Sequence, residues 1–212
     1  MSEIIYRKLK KEDYNEVEEI INQSFGLYHY VDNPKMLNML LKSYLQSCLA
    51  EKTFDCVAQK DGKVVGVILG NSKSDYKIFS HFKPTLAMIY YGILMNFQSL
   101  KCKEKADDYK NLHKIYAEFL KNRKNQFDGV LTLFAVSEDC RGLGVGKNLL
   151  SLLVEYLKKN NTTNIYLFTD TTCNYGFYDS QGFKRIDEKQ LTITCSHKPM
   201  DIGVFLYGYK IK

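Results

Sequence analysis

The fold is decided by the stretch VLTLFAVSEDCRGLGVGKNLLSLLVEYL, residues 130–157. Its first seven residues form an apolar run that is typical of a buried strand, and its last ten place leucines along one face of a helix. Between the two lies a turn that contains Gly142, Gly144 and Gly146. A strand, a glycine-rich turn and a helix in this order direct several backbone N–H groups at one point. The stretch therefore predicts a binding site for a phosphate-bearing ligand.

The glycine spacing excludes two common phosphate-binding loops. A Walker A loop requires G-x-x-x-x-G-K-[ST], but here Arg141 stands at the first glycine position and Asn148 at the hydroxyl position. A Rossmann turn requires G-x-G-x-x-G, and a match that starts at Gly142 reaches Lys147 where the third glycine belongs. Neither a P-loop nucleotide nor a dinucleotide is therefore expected at this turn.

The spacing that does fit is Arg141-x-x-Gly144-x-Gly146. It resembles the R/Q-x-x-G-x-G/A signature of the GNAT N-acetyltransferase superfamily. Downstream, Tyr178-x-x-x-Gly182-Phe183 resembles the Y-x-x-x-G-F that closes the GNAT core after its fifth strand. The two signatures occur in the family's order, and the resemblance covers most of the chain except about residues 71–128.

The resemblance implies an α/β (α+β) fold with a mixed, mostly antiparallel sheet and helices on both faces. Residues 1–212 are expected to form a single domain of this kind. The lysine-rich helical pattern of about residues 71–128 predicts a helical insertion between the third and fourth strands, because a strand pattern resumes directly at Val130.

Local signals in the sequence predict several other elements. Asp61-Gly62 between two β-rich runs predicts a hairpin. Asp13 is expected to cap a first helix, and Pro34 to lie in the first turn of a second. Two closing strands are predicted near Gln190–Thr194 and Gly203–Lys210.

By the same resemblance, acetyl-CoA is the expected co-substrate, with no metal. Its pantetheine arm enters between the fourth and fifth strands, and its pyrophosphate lies on the glycine-rich turn. The residues implied to contact it are Phe134, Ala135, Val136, Arg141, Gly142, Leu143, Gly144, Val145, Gly146, Lys147 and Asn174. Thr171 stands where many family members have asparagine, so Asn174 either supplies the polar contact to pantetheine from a shifted position or caps a helix.

Tyr178 is the candidate catalytic residue, because a tyrosine at this place in the family protonates the departing CoA thiolate. A phenol of pKa about 10 is a suitable donor to a thiolate of pKa about 8.5. The alternative is a core tyrosine that packs beside Phe177 and Phe183. A backbone N–H near Val136 is expected to stabilise the oxyanion of the thioester. The general base is not identified, and its candidates are Asp128, Asp170 and His113.

The expected activity is transfer of an acetyl group to a primary amine of a small molecule or a peptide. The alternative is a non-catalytic acyl-CoA-binding protein with a regulatory or interaction role.

Lysines scattered along the chain give a net charge of only +6, which favours a solvated surface over a nucleic-acid interface. The apolar run Leu86–Met95 is far shorter than the about 20 residues that span a bilayer, so no membrane partner is expected. Cysteines without paired spacing indicate free thiols in the cytoplasm, and a homodimer stays open.

Overall fold

A computed structural model describes residues 3–29, 31, 33–76, 82–99, 103–195 and 198–211. The strands are β1 (Ile4–Arg7), β2 (Phe54–Lys60), β3 (Lys63–Ser72), β4 (Gly129–Val136), β5 (Asn164–Asp170), β6 (Lys184–Cys195) and β7 (Lys198–Lys210). The helices are α1 (Tyr14–Phe25), α2 (Pro34–Glu51), α3 (Phe82–Ser99), α4 (Lys103–Leu120), α5 (Val145–Lys159) and α6 (Gly176–Ser180). Within these ranges, no helix is long and apolar enough to cross a membrane.

The strands form one sheet in the order β1-β2-β3-β4-β5-β7-β6. Neighbouring strands are antiparallel except β4 and β5, which are parallel. Apolar side chains of successive residues alternate between two cores, as the pleat of a sheet requires. Helix α5 packs on one face of the sheet, and α1, α2 and α4 pack on the other. The predicted fold class is confirmed.

Strands β4 and β5 separate soon after they begin. Their only paired residues are Gly129 with Ile165 and Val130 with Tyr166. A bulge follows at once on the other edge of β4, because Gly70 pairs with Leu131 and Leu69 with Leu133, which leaves Thr132 unopposed. A bulge bends its strand and increases its twist. The bend thus accompanies the gap that opens between the two strands, and the glycine-rich turn follows directly at the end of β4.

Local chemistry explains the connections that hold this frame. Asp61 and Gly62 both have positive φ values, 50° and 81°, as a two-residue hairpin turn of the predicted kind requires. Pro34 begins α2 as predicted, and the side chain of Asn33 accepts from the Lys35 and Met36 N–H groups. The prediction that the Asp13 side chain caps the first helix is wrong. Its carboxylate accepts from Arg7 and from the Lys10 N–H, and makes no hydrogen bond to α1.

Two helices, α3 and α4, lie between β3 and β4, where the sequence predicts the helical insertion. Helix α3 packs against α2, and α4 buries Ile115 and Phe119 against β6 and β7. The closing strands are longer than predicted. β6 is an edge strand with mostly exposed side chains, so its sequence carries little of the apolar alternation that identifies a strand.

Candidate active site

A cavity of about 970 Å³ passes through the gap between β4 and β5. On the α5 side of the sheet it is lined by the glycine-rich turn, Phe177 and Tyr178. On the opposite side it continues between α1, α2 and α4, where Phe25, Tyr44 and Tyr116 line it. One cavity therefore joins the predicted phosphate site to a largely apolar chamber on the other face of the sheet.

The glycine-rich turn presents open backbone to this cavity. Gly142 and Gly144 have φ values of 79° and 77°, and a Cβ built on either would meet nothing within 4 Å. Gly144 is the N-cap of α5, and no side chain caps that helix. The first N–H groups of a helix have no partner inside it, so those of Val145, Gly146 and Lys147 point towards the turn. This arrangement suits an anion, which the helix dipole also favours.

Gly146 has a different role from the two glycines before it. A Cβ at this position would lie 3.1 Å from Cζ of Phe134 and 3.4 Å from Cε2 of Phe177. The absence of a side chain therefore lets the first turn of α5 pack closely on the aromatic rings beside the gap. Val145 is buried in the core, so that only its backbone is available to a ligand.

Two cations flank the turn, and one of them has an acidic partner. Nη1 of Arg141 lies 2.9 Å from Oε1 of Glu138, and both side chains are exposed. An exposed pair of this kind is weak, so Arg141 can exchange it for a phosphate. Lys147 also lines the cavity. Leu143 is exposed and lies outside the lining, unlike the other residues predicted to contact acetyl-CoA.

The edge of β4 that faces the gap carries the backbone groups of Phe134 and Val136. Ser137 N donates to Val65 O over 2.9 Å, so the Ser137 backbone faces β3. Backbone groups alternate in direction along a strand. Ala135 therefore also faces β3, while Phe134 and Val136 direct N–H and C=O groups into the gap. An extended ligand can pair with these groups as an added strand.

Tyr178 lies in α6 on the α5 side of the gap. Its ring centroid lies 6.3 Å from that of Phe134, 5.6 Å from Phe183 and 6.0 Å from Tyr207. Burial raises the pKa of its phenol well above the ordinary value, and the nearby Cys173 thiol adds to the rise. Within the described ranges no residue hydrogen-bonds to the hydroxyl. Because its pKa is raised, the phenol keeps its proton at every physiological pH. The position of Tyr178 is compatible with both alternatives, a catalytic tyrosine and a core tyrosine, because its ring packs in the core and it also lines the cavity.

The segment before Tyr178 contains Thr171, which stands where the resemblance predicts asparagine. Thr171 donates its N–H to Gly203 O and accepts the Gly203 N–H at Oγ1, which joins the end of β5 to β7. Asn174 lines the cavity, whereas the N-cap of α6 is Tyr175. Asn174 is therefore not the cap of α6, and its contact with pantetheine stays a prediction.

The three candidate bases occupy different environments. Asp128 accepts from the Thr163 and Asn164 N–H groups, lies outside the cavity lining and has a lowered pKa despite burial, because these bonds favour its anion. His113 packs edge-on to Tyr116 outside the lining, and burial lowers its pKa. Asp170 lines the cavity at the end of β5, where its Oδ1 accepts from the N–H and hydroxyl of Thr172.

Several residues that line the chamber were not predicted as site residues from the sequence. Tyr44 fits the apolar spacing of α2, Tyr116 fits that of α4, and Asp108 is one of many charges in a lysine-rich helix. Phe168 belongs to an apolar strand and stacks on Tyr116, with ring centroids 4.0 Å apart. The sequence signal that could have indicated an aromatic chamber is the high tyrosine content, sixteen residues in the chain. Only the fold shows which of these tyrosines lie close together.

Comparisons with known proteins agree with this geometry. Residues 110–183 match the family model described as the acetyltransferase (GNAT) family. A search of curated protein sequences finds no match. An N-acetyltransferase from Staphylococcus aureus Mu50 has a similar structure, with a TM-score of 0.58, 15% identity and full coverage of both chains.

Two further solved structures are similar over nearly their whole length. The ribosomal-protein-S18-alanine N-acetyltransferase from Escherichia coli has a TM-score of 0.55 and 13% identity, over 99% of this chain and 95% of the other. A Salmonella typhimurium protein solved with its cofactor acetyl-CoA has a TM-score of 0.56 and 13% identity, over 100% and 95%. Residues 110–183 thus match the acetyltransferase (GNAT) family model, within a fold that the chain shares with solved N-acetyltransferases.

Proposed function

We propose that the chain transfers an acetyl group from acetyl-CoA to a primary amine. The observation that carries this proposal is the gap between β4 and β5, since it connects an open helix N-terminus to a separate chamber through a passage edged by free backbone groups. Residues 1–212 would act as one domain, in which α3 and α4 complete the acceptor side. The Escherichia coli neighbour, named for an alanine acceptor, is consistent with an amine acceptor here.

The pantetheine arm would pair with the backbone of Phe134 and Val136, and the pyrophosphate would lie on the turn from Arg141 to Lys147. The thioester then lies in the gap, where the Val136 N–H can stabilise the negative charge that develops on the carbonyl oxygen. The side chain of Asn174 lines the cavity and would bind an amide of the arm.

The proposed base and acid lie on opposite sides of the sheet. Asp170 follows Phe168 by two residues on β5, so both face the chamber next to α4. Tyr178 packs on the α5 side. An ammonium that enters through the chamber would first give a proton to Asp170, directly or through water. The amine nitrogen would bond to the carbonyl carbon, the C–S bond would break, and the sulfur would take the proton of Tyr178. The second proton that the nitrogen loses would pass through water in the gap to the Tyr178 phenolate.

The experiment that tests the proposal measures two steps separately. Calorimetric titration with acetyl-CoA reports donor binding, and release of free CoA thiol in the presence of a broad amine panel reports transfer. Amine-dependent thiol release above the hydrolysis background supports the proposal. Acetyl-CoA binding without release for any amine would favour the non-catalytic acyl-CoA-binding alternative, and failure to bind acetyl-CoA would overturn both.

Replacement of Asp170 by asparagine is expected to lower kcat by about 10²-fold, the lower end of the usual contribution of a general base. Asparagine keeps the shape of the side chain and can still accept from Thr172, but it takes no proton. The affinity for acetyl-CoA should stay unchanged in calorimetry. Asp61→Asn in the β2–β3 hairpin turn is the matched control, because both residues suit its left-handed backbone. A wild-type kcat in Asp170→Asn would exclude Asp170 as the base.

A further inference from the structure

The acceptor chamber combines aromatic walls with few charges. Its apolar lining includes Phe25, Leu40 and Tyr44 from α1 and α2, Tyr116 from α4 and Phe168 from β5. Tyr116 and Phe168 stack with an interplanar angle of 11°. Phe25 meets Tyr44 edge to face at 5.8 Å. These rings form rigid, flat surfaces for an apolar group to bury against.

The described residues of the chamber include few charged side chains. Of the described residues that line the cavity, those with charged side chains are Asp108, Lys110, Arg141, Lys147 and Asp170. Arg141 and Lys147 belong to the glycine-rich turn, which leaves two carboxylates and one lysine on the acceptor side. Asp108 already accepts from the Thr194 N–H over 2.8 Å. Tyr44 adds no negative charge, because burial raises the pKa of its phenol well above the ordinary value.

This set of charges disfavours acceptors that carry several cations. A polyamine or an aminoglycoside brings three or more ammonium groups and would leave at least one of them without an anionic partner. Burial of an unpaired ammonium costs several kcal/mol. A single ammonium on an apolar body avoids this penalty.

We propose that the acceptor is a primary amine with one positive charge and an aromatic body. Its ammonium would lie at Asp170, and its ring would pack against Tyr116 and Tyr44, which both line the cavity. The short link between amine and ring spans the step from Asp170 to Phe168, which are neighbours on one face of β5. This inference rests on the proposed acetyl transfer and names its acceptor class.

The test compares 2-phenylethylamine, spermidine and kanamycin as acceptors for the full chain with acetyl-CoA. We expect a kcat/KM for 2-phenylethylamine at least tenfold above that for the other two. Tyr116→Ala should raise the KM for 2-phenylethylamine about tenfold, because it removes the flat surface, while kcat and acetyl-CoA affinity change little. Tyr116→Phe keeps that surface and should keep the wild-type KM. If Tyr116→Ala fails to fold by circular dichroism, Phe168→Leu tests the same surface with little change of volume.

The outcomes separate this inference from the activity on which it rests. A preference for spermidine or kanamycin would overturn the aromatic acceptor and leave acetyl transfer standing. The same holds if a folded Tyr116→Ala keeps the wild-type KM. If acetyl-CoA binds but none of the three amines releases thiol, the aromatic acceptor is again excluded, and the broad amine panel decides the activity. Loss of acetyl-CoA binding itself would overturn both.

Discussion

Replacement of Gly144 by valine is expected to lower the affinity for acetyl-CoA by roughly 10²- to 10³-fold. Gly144 caps α5 at φ 77°, and a side chain there would project into the open space beside the unpaired N–H groups of the helix. A valine would also press the backbone out of the left-handed region, which changes the direction of those groups. Loss of two hydrogen bonds to a charged phosphate costs about 3–4 kcal/mol, which corresponds to this decrease in affinity.

Gly62 provides a matched control for the backbone strain in this variant. It has φ 81° in the β2–β3 turn, and a Cβ there also meets nothing within 4 Å. Gly62→Val therefore carries a similar conformational cost and lies outside the cavity lining. Calorimetric titration with acetyl-CoA should show a loss for Gly144→Val alone, at a temperature where circular dichroism shows both variants folded. Equal affinities in the two variants would remove the turn from the pyrophosphate site.

The parts of the fold that the sequence predicts are those with local causes. The strand, turn and helix of residues 130–157 are contiguous, so their apolar pattern and glycines define them without knowledge of the rest of the chain. The hairpin at Asp61-Gly62 and the start of α2 at Pro34 have the same local origin. The resemblance implied the mixed sheet and the gap between β4 and β5, which no local pattern encodes.

The parts that the sequence does not predict depend on contacts between distant segments. Asp13 is a residue type that often caps helices, but its carboxylate binds Arg7 at the end of β1 instead of the N–H groups of α1. Tyr116 and Phe168 are 52 positions apart in sequence and meet only because α4 packs on the sheet. The base candidates could not be ranked from sequence for the same reason, since exposure to the cavity is a property of the fold. Their chemical roles stay predictions.

The position of Asp170 and Tyr178 on opposite sides of the sheet has a chemical consequence. A base and an acid that face each other directly would hydrogen-bond to each other instead of to the substrate. In the proposed reaction the thioester would lie in the gap between them, so that Asp170 would reach the amine on the α4 side and Tyr178 the sulfur on the α5 side. This separation would allow both proton transfers to occur in one reaction.

Replacement of Tyr178 by phenylalanine is expected to lower kcat by about 10²-fold while the affinity for acetyl-CoA stays unchanged. The change removes one oxygen and keeps the ring, so the contacts with Phe134, Phe183 and Tyr207 are retained. The thiolate then departs without a proton donor. Because burial raises the pKa of the Tyr178 phenol, the wild-type protein should keep this donor protonated up to pH 10 and show no alkaline loss of kcat below that pH from this group.

Tyr175→Phe is the matched control for the loss of a phenolic hydroxyl, because Tyr175 immediately precedes α6 and lies outside the cavity lining. Its ring packs on Phe205, a contact that phenylalanine keeps. Stopped-flow detection of thiol release should show a slower chemical step in Tyr178→Phe alone, with both variants equal to the wild type in thermal stability. A Tyr178→Phe protein with the wild-type rate would make Tyr178 a packing residue, and the proton for the thiolate would then have to come from water in the gap.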